Sequence, residues 1–467
     1  MKSQASKKAV SKKKSSKKKV AKKTSLPRSS FRKVVLPNGI TLLTERHPAS
    51  RSVSCGVWVN RGTRHELEHE AGLAHFVEHL VFKRTKRRSA YQIVRDMEAV
   101  GGDLNAFTSR ENTAFVTHSL SEHVGLSLDI LSDLVCRPSF DAGDIKKEKE
   151  VVIQEILMSE DQLEDFVFDK YLEMSYPSGP LGKSILGTVD SIREMKRDTI
   201  IDFHKRQYTS ENIVVSVAGL LEHEEVADLV AKHLKPVVPK PSRATPASKK
   251  SREALITSKP ADALEAVRPQ LAQFRNVIRK PSEQVHILIG HPTISYVDRL
   301  RFDGIIVNTL LGGGMTSRLY QSVREERGLV YSVYSQLMTF ADTGINMIYA
   351  GTDAKKTPDV IELILKELRN LKKKGVKKSD IEFFKTQVKG SILLGADDVD
   401  NRMNSLAINE MMFGKYRPVE DVIKGIDSVN FDTIHEFIET KMDIDQLGML
   451  LIGPMPEGPT TKWLKSL

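Results

Sequence analysis

The sequence predicts an α+β fold of two similar tandem halves, each with a sheet whose faces are covered by helices. Three observations predict it. From about residue 31 onward, strand-length apolar stretches alternate with helical stretches. A segment rich in Pro, Ser and Lys interrupts this alternation near the middle of the chain. Residues 124–158 and 360–394 align without a gap as helical stretches of matching pattern, which indicates an internal repeat.

The first half, residues 31–235, is predicted to begin with strands. "FRKVVLPNGITLLTERHP" predicts two strands around a Pro-Asn-Gly turn, and "RSVSCGVWVNRGTRHE" predicts a third before the helix "LAHFVEHLVF". "GGDLNAFTSRENTAFVTHSL" alternates as sheet, and "SEHVGLSLDILSDLVCRP" predicts a helix that Pro138 ends. A long helix from Asp144 to about Tyr171, the strand "ENIVVSVAGLL" and the helix "HEEVADLVAKHL" complete this half.

Residues 236–271 are predicted to be a linker, and the same plan then starts again over residues 272–467. "EQVHILIGHP" predicts a strand and "LRFDGIIVNTLLGG" a helix. "GLVYSVYSQ" and "GINMIYAGT" predict two further strands, and a pair of helices follows them. The order of elements therefore repeats that of the first half.

The net charge of +11 is concentrated at the N-terminus. Residues 1–30 hold eleven Lys and one Arg with no acidic residue, so the rest of the chain has 59 basic against 60 acidic residues. Such a block of like charge is expected to be a disordered tail. A solvated tail is the simplest interpretation. Weak binding to nucleic acid or anionic lipid, and organelle targeting, stay open as alternatives.

Cysteine content and hydropathy limit the class of protein. Cys55 and Cys136 are the two cysteines, which excludes a disulfide framework and indicates a reducing compartment. No apolar run approaches the ~18 residues that a membrane helix needs, so no membrane span is expected. A bacterial cytoplasm is the predicted location, with a mitochondrial matrix as the alternative. The near-neutral body and the lack of a recognition motif disfavour nucleic-acid binding, except weakly through the tail.

The run "LAHFVEHLVF", residues 73–82, places two histidines and a glutamate among apolar residues, where they need a partner. On a helix, His75 and His79 lie about 40° apart around the axis with Glu78 beside them. Two imidazoles at i and i+4 can bind a metal ion, and the carboxylate can act on a water bound to it. His-x-x-Glu-His is the inverzincin signature, and two satisfied histidines on an ordinary helix are the alternative.

A catalytic zinc ion usually has three protein ligands, so the chain should supply another. Glu148 and Glu155 are seven residues apart, about 20° apart on one helix face that they share with two valines. The aligned positions of the second half hold Phe384 and Ser391, which are expected to be ordinary packing residues, so the fold itself does not require these acids. Glu155 is the candidate third ligand. Glu148 is the candidate partner for the outer nitrogen of a ligating histidine, with an ordinary solvated acidic face as the alternative.

These residues carry a resemblance to a known family. "HFVEHLVF", followed 76 residues later by the Glu155 of "EKEVVIQEI", resembles the pitrilysin-type inverzincin metallopeptidases. The likeness is greatest to the processing-peptidase branch, with the mitochondrial processing peptidase β-subunit and its bacterial relatives. It runs from about Phe31 to the C-terminus. "LLGGGMTSRLYQSVREERGLVYSVYS" is similar to a stretch of the family's second half, where Arg324 and Tyr331 meet its Arg–Tyr pattern.

The resemblance implies two mostly antiparallel sheets flanked by helices, closing as a clamshell around a chamber with one zinc ion per chain. His75, His79 and Glu155 would hold the metal, which lowers the pKa of a water bound to it toward ~7. Glu78 would act as the general base. Arg324 and Tyr331 would reach over from the second half to hold the substrate and stabilise the oxyanion.

The resemblance also implies where the substrate binds. "NAFTS", residues 105–109, matches the family's edge strand, to which an extended peptide adds, and Asn105 and Phe107 are its candidate contacts. Asp165 and Asp169 fall where processing peptidases carry acids that bind a basic residue near the cleavage point. They belong to an acidic run that an ordinary solvated helix face explains about as well, formed by Glu160, Asp161, Glu164, Asp165 and Asp169.

The function expected from these features is a zinc metalloendopeptidase acting on peptides or unfolded proteins, with a possible preference for a basic residue. The main alternative is a non-catalytic structural or partner subunit of the same fold. Because both the metal-binding motif and the Arg–Tyr pair are present in one chain, a self-sufficient enzyme that forms a homodimer is expected, by analogy with the family.

Overall fold

The structure is a computed structural model that describes residues 29–177, 179–235, 269 and 271–467. The predicted disordered tail and the predicted linker lie outside the described residues, apart from a few residues at their ends. Both therefore stay predictions.

The first half contains a six-stranded sheet in the order β1-β2-β6-β3-β5-β4. All neighbouring strands pair antiparallel except β2 and β6, which are parallel. Strand β4 stands at one edge and pairs with β5 through one side only. The strands are β1 Ser30–Val35, β2 Thr41–Arg46, β3 Ser52–Val59, β4 Asp103–Thr108, β5 Thr113–Leu120 and β6 Ile213–Gly219.

Eight helices accompany this sheet among the described residues. The central strands β3 and β6 are almost wholly buried, which matches their near-continuous apolar sequence. The helices are α1 Leu73–Val81, α2 Ala90–Glu98, α3 Val124–Cys136, α4 Ala142–Asp161, α5 Leu163–Ser175, α6 Val189–Glu194, α7 Arg197–Gln207 and α8 His223–His233.

The long helix predicted from Asp144 to about Tyr171 is in fact two helices. The chain leaves the helical conformation at Gln162, where φ is −86° and ψ is 86°. No Pro or Gly marks this break. The reason for the break is tertiary, because α5 turns away from α4 and packs on the sheet of the second half.

The second half repeats the plan with five strands in the order β7-β11-β8-β10-β9. Strands β7 and β11 are parallel and the other neighbours are antiparallel. The strands are β7 Arg275–Arg279, β8 Val285–Thr293, β9 Val330–Thr339, β10 Gly344–Thr352 and β11 Gly448–Gly453. The helices are α9 Arg301–Gly312, α10 Thr357–Lys374, α11 Lys378–Gly395, α12 Val399–Phe413, α13 Val419–Ser428, α14 Phe431–Lys441 and α15 Glu457–Leu464.

The prediction of two similar halves with mostly antiparallel sheets and flanking helices is confirmed. Each half has its own apolar core. Two further clusters join the halves. Helix α5 packs Phe166, Val167 and Tyr171 against the second sheet, and α12 packs Met403 and Leu406 against the first sheet. One helix of each half thus packs on the sheet of the other half, and this packing buries apolar surface that neither half covers alone.

A buried ion-pair network adds to this junction. The Arg64 guanidinium contacts Asp342, in the loop between β9 and β10, at 2.6 Å and Glu111 at 2.5 Å. The backbone N–H of Ala341 donates to both carboxylate oxygens of Glu111 at 3.1 Å.

Across the residues that the structure describes, no helix combines the length and the apolar content needed to cross a membrane.

Candidate metal centre

Helix α1 is held in place from its N-terminus by a buried carboxylate. Gly72 precedes the helix with φ of 86°, a conformation that favours glycine. The carboxylate of Glu66 accepts hydrogen bonds from the backbone N–H groups of Gly72, at 3.1 Å, and Ala74, at 2.7 Å. Burial raises the pKa of Glu66 to about 8, and this outweighs the effect of the two N–H donors. Glu66 thereby fixes the start of the helix that carries the motif.

His75, His79 and Glu155 converge at one point. One ligand atom from each of the three lies within 4.8 Å of the others. Nε2 of His75 is 3.7 Å from one carboxylate oxygen of Glu155, and Nε2 of His79 is 3.5 Å from the other. These separations are too long for strong hydrogen bonds but suit three donors around one ion. The two imidazole rings stand 4.5 Å apart between centroids.

The donor set fits a zinc ion. Two imidazoles and one carboxylate form one of the ligand sets that catalytic zinc sites use. Burial, with a contribution from the neighbouring His79, lowers the pKa of His75 to about 4. His75 is therefore neutral near pH 7, which is the state a metal ligand needs.

Glu148 lies behind His79 and is only 3% exposed. One of its oxygens is 2.9 Å from Nδ1 of His79, and the other is 2.8 Å from Nζ of Lys83. Burial alone would raise the pKa of Glu148, but the hydrogen bonds with His79 and Lys83 lower it on balance. Burial likewise opposes a charge on His79, yet Glu148 and the nearby carboxylates raise its pKa. The carboxylate thus fixes the ring orientation of His79.

Glu78 is half-buried beside this cluster. Thr108, the last residue of edge strand β4, donates its hydroxyl to Oε2 of Glu78 at 2.6 Å. Burial raises the pKa of Glu78, and the Thr108 hydrogen bond works in the opposite direction. The candidate base is therefore fastened to the strand that is expected to hold substrate.

The structure separates the two substrate residues predicted on β4 from the metal cluster. Side chains alternate along a strand, and Thr108 points toward α1. Phe107 points to the opposite face, 41% exposed, with its ring 5.4 Å from that of Trp58. Asn105 is exposed and accepts a hydrogen bond from the N–H of Ala106. Any contribution of this segment at the metal side would come from the strand's backbone edge.

Arg324 and Tyr331 lie together in the second half. The guanidinium of Arg324 lies 4.8 Å from the ring centre of Tyr320 and 5.1 Å from that of Tyr331. Tyr331 is 76% exposed. Within the described ranges, neither side chain makes a hydrogen bond or an ion pair with the metal-site residues. Arg324 and Tyr331 thus lie against each other, but among the described residues they have no polar contact with the metal centre of this chain.

Asp165 and Asp169 have different surroundings on α5. Asp165 is exposed. Asp169 is partly covered and pairs with the buried Arg110 at 3.2 Å, while Nε of Arg110 donates to the carbonyl of Leu181. Asp169 also lines a cavity of about 980 Å³, whose wall includes Ile156 of α4 but not the metal ligands or Glu78. Acidic residues outnumber basic ones in its wall, which includes Glu66, Glu68, Glu160, Asp169, Glu173 and Asp190 against Arg64, Lys170 and Lys183.

Sequence reasoning missed three residues of the centre. Glu66, Lys83 and Thr108 each support a motif residue. Lys83 directly follows the predicted helix and is at i+4 from His79, which was a usable signal, because this spacing puts two residues on the same face where the helical turn continues. Glu66 and Thr108 reach the centre from other elements, so the local sequence gave no signal for them.

Comparison with known proteins agrees with this geometry. The family profile described as "Insulinase (Peptidase family M16)" matches residues 41–189, and the profile described as "Peptidase M16 inactive domain" matches residues 194–388. A Mycobacterium leprae protein named as an uncharacterized zinc protease is 35% identical over 422 residues, covering 90% of this chain and 91% of that protein. The Bacillus subtilis protein named "Uncharacterized zinc protease YmxG" is 32% identical, covering 92% of this chain and 100% of that protein.

Solved structures share the fold. A structure titled as a protease from Helicobacter pylori has a TM-score of 0.79 at 18% identity and covers 91% of this chain and 99% of its own. A structure from Pseudomonas fluorescens titled as a peptidase M16 inactive domain has the same TM-score at 17% identity, covering 91% of this chain and 98% of its own. With relatives above 30% identity along nearly the whole chain, the protein belongs to the insulinase, or M16, family of peptidases.

Proposed function

We propose that the protein is a zinc-dependent endopeptidase that hydrolyses peptide bonds in extended or unfolded polypeptides. The observation that carries the proposal is the convergence of His75, His79 and Glu155, with Glu78 beside them. Relatives named as zinc proteases support zinc as the metal. We propose one ion per chain, since His75, His79 and Glu155 form one such cluster among the described residues. A zinc ion held by the three ligands would polarise the scissile carbonyl and make a water acidic near neutral pH.

The protein's own groups then have distinct tasks. Glu78 takes the proton of the attacking water and delivers it to the leaving amine. Its raised pKa suits that exchange because a carboxylate of higher pKa is a stronger base. The free edge of β4 binds the substrate backbone as an added strand. Thr108 positions Glu78 relative to that strand.

A preference for basic residues near the scissile bond is the finer part of the proposal. In the cavity lined by residues of α4 and α5, most of the charged residues are acidic, and Asp165 offers an exposed carboxylate elsewhere on α5. A lysine or arginine side chain entering this region would meet complementary charge. The processing-peptidase branch would account for such a preference.

Arg324 and Tyr331 are proposed to contact the substrate, Tyr331 as an oxyanion donor and Arg324 as a backbone clamp. Since neither contacts the centre of its own chain, a second copy of the chain is the natural route by which they reach a substrate. This is why we propose a homodimer. A non-catalytic subunit is the competing function, and the complete ligand set with Glu78 argues against it.

The decisive experiment combines metal content with cleavage. Wild type and Glu78→Gln would be assayed on a quenched fluorescent peptide library, with bound zinc measured in the same samples. We expect about one zinc per chain in both proteins, and cleavage by wild type only. Cleavage should stop with a chelator and return with zinc. Folded wild type that binds no metal and cuts nothing would instead favour the subunit role.

A further inference from the structure

The second half contains a cavity of about 800 Å³ at the position that corresponds to the metal centre. The strand order β8-β10-β9 matches β3-β5-β4 of the first sheet. Helix α1 contacts β4 and α4, and α9 correspondingly contacts β9 and α11. Ser391, the residue that aligns with Glu155, lines the cavity. The second half thus keeps an open space where the first half has its metal cluster.

The wall of this cavity is not suited to a metal ion. None of its lining residues is His, Cys, Asp or Glu. Ser391 replaces the carboxylate ligand, and Phe384, which aligns with Glu148, is buried in the apolar core. Any ligand of this cavity is therefore bound by a different chemistry.

Two arginines of the wall share one aromatic ring. The guanidinium groups of Arg301 and Arg417 lie 5.2 Å and 4.6 Å from the ring centre of Phe413. Over the part of the chain that the structure describes, neither guanidinium has an acidic partner within ion-pair distance or a hydrogen-bond acceptor. Burial, with the repulsion of Arg417, lowers the pKa of Arg301 to about 10, so Arg301 is charged near pH 7. Burial also lowers the pKa of Arg417. A third arginine of the wall, Arg402, is already paired with Glu45 at 2.7 Å.

The rest of the wall has uncharged polar residues, such as Asn308 and Asn409, and an extensive apolar part. Phe302, Ile305 and Leu337 belong to it, and they join aliphatic residues from α11 and α13. An anion between Arg301 and Arg417 would compensate two half-buried positive charges, which the surrounding protein leaves less screened than charges on the open surface. An apolar body attached to that anion would cover the aliphatic wall. The volume is in the range of small-molecule sites.

We propose that this cavity binds an organic carboxylate with an apolar body, whose carboxylate is held by Arg301 and Arg417. A free carboxylic acid and the C-terminal residues of a peptide both offer this chemistry. The site is separate from the metal centre and does not depend on proteolysis. A carboxylate bound there would give the second half a binding role at the position where it lacks metal-ligating residues.

The test is isothermal titration calorimetry of the full chain with octanoate. We expect binding by wild type, and a rise in Kd of about tenfold or more in both Arg301→Gln and Arg417→Gln. Arg369→Gln, which changes an exposed arginine of α10, should bind like wild type. Glu78→Gln should also bind like wild type, so failure of the proteolysis proposal would leave this result intact. The uncharged probe 1-octanol should bind more weakly than octanoate.

A second pair of probes distinguishes the source of the carboxylate. The peptide N-acetyl-Leu-Leu would be compared with its own C-terminal amide and with octanoate. Tighter binding of the peptide acid than of octanoate would identify a peptide C-terminus as the source of the carboxylate. Arg301→Lys and Arg417→Lys serve if a Gln variant does not fold, because they keep the charge but lose the planar fork and should bind more weakly. Absence of octanoate binding to wild type, or equal binding by wild type and the arginine variants, would overturn the proposal.

Discussion

Nδ1 of His79 lies 2.9 Å from a carboxylate oxygen of Glu148, while Nε2 of the same ring faces Glu155 at 3.5 Å. Nδ1 of His79 is therefore held by Glu148, and Nε2 faces the position of the metal ion. Lys83 occupies the second oxygen of Glu148, so the carboxylate cannot rotate without losing a contact. A ring fixed in this way binds a metal without first losing freedom of orientation.

The first prediction follows from this contact. Glu148→Gln should weaken zinc binding by about 10- to 100-fold, because the amide cannot supply the charge that His79 and Lys83 share. Competition with a chromophoric chelator would measure the zinc affinity. Glu150→Gln is the matched control, since Glu150 is exposed on the same helix. Equal affinity in both variants would show that Glu148 does not support the ligand.

The second prediction concerns the hydroxyl of Thr108. It donates to Glu78 and so favours the carboxylate form of the base. Thr108→Val should raise the pKa of Glu78 further, which moves the acidic limb of the kcat/KM profile to higher pH and lowers activity more at pH 6 than at pH 8. Thr108→Ser keeps the donor and should retain the wild-type profile. A parallel loss at every pH in Thr108→Val would indicate a packing defect instead.

The third prediction uses the buried Glu66. Its pKa is raised to about 8 in the folded protein, against an ordinary value of 4.5. Between these values the folded state holds a proton that the unfolded state has lost, so Glu66 stabilises the fold fully below pH ~4.5 and this contribution disappears as the pH rises through 8. Glu66→Gln carries no such proton.

The thermal midpoint of wild type should therefore fall more steeply between pH 6.5 and 8.5 than that of Glu66→Gln. Taking the difference between the two proteins removes the effect of other titrating groups. Identical slopes would mean that Glu66 is ionised throughout this range. Burial lowers the pKa of His204 to about 4, and this histidine is present in both proteins, so it does not affect the comparison.

The sequence predicted those parts of the molecule that depend on local spacing. His75, Glu78 and His79 share a helix face because of helical periodicity, and the repeat of the two halves was visible in the pattern of the chain. The spacing of seven residues was also sufficient to predict that Glu148 and Glu155 lie on the same helix face. Val151, predicted on the same apolar stripe, is instead 49% exposed, because the helix buries a narrower face than the pattern indicated.

Features that depend on distant contacts were not predictable in this way. The break at Gln162 has no Pro or Gly to announce it, and its cause is the second sheet on which α5 packs. Ser391 was expected to be an ordinary packing residue, but it is exposed at the rim of a cavity. The pairing of Asp169 with Arg110 joins residues 59 positions apart, which changes a candidate substrate contact into a residue with a structural partner.

That pairing leads to the fourth prediction. Asp165→Asn should lower kcat/KM for peptides with a basic residue near the cleavage site by about two- to fivefold, the usual effect of an exposed ion pair, and leave neutral peptides unchanged. Asp169→Asn is expected to have a different effect. It should lower the thermal midpoint, because it weakens the compensation of the buried Arg110 charge. Glu150→Gln, which changes an exposed acid of α4 outside the cavity wall, is the control for a general loss of negative charge. An equal loss on basic and neutral peptides would contradict a role of Asp165 in specificity.

The fifth prediction tests the proposed dimer through the Arg324–Tyr331 pair. Glu78→Gln retains this pair but lacks the base, whereas Tyr331→Phe retains the base but lacks the phenol. If the pair of one chain serves the metal centre of a second copy, a mixed dimer holds one complete site. Refolding the two inactive variants together at equal amounts should then restore about a quarter of wild-type activity, since half of the dimers would be mixed and each would have one working site.

The alternative is that Tyr331 reaches the centre of its own chain. Every chain in the mixture would then lack either the base or the phenol at its own site, and the activity of the mixture would not exceed that of its parts. The 76% exposure of Tyr331 favours restoration, as does its lack of a hydrogen bond with the metal-site residues in the described ranges. Arg324→Ala mixed with Tyr331→Phe is the internal control: both changes disable the same pair, so this mixture should stay inactive whichever chain the pair serves.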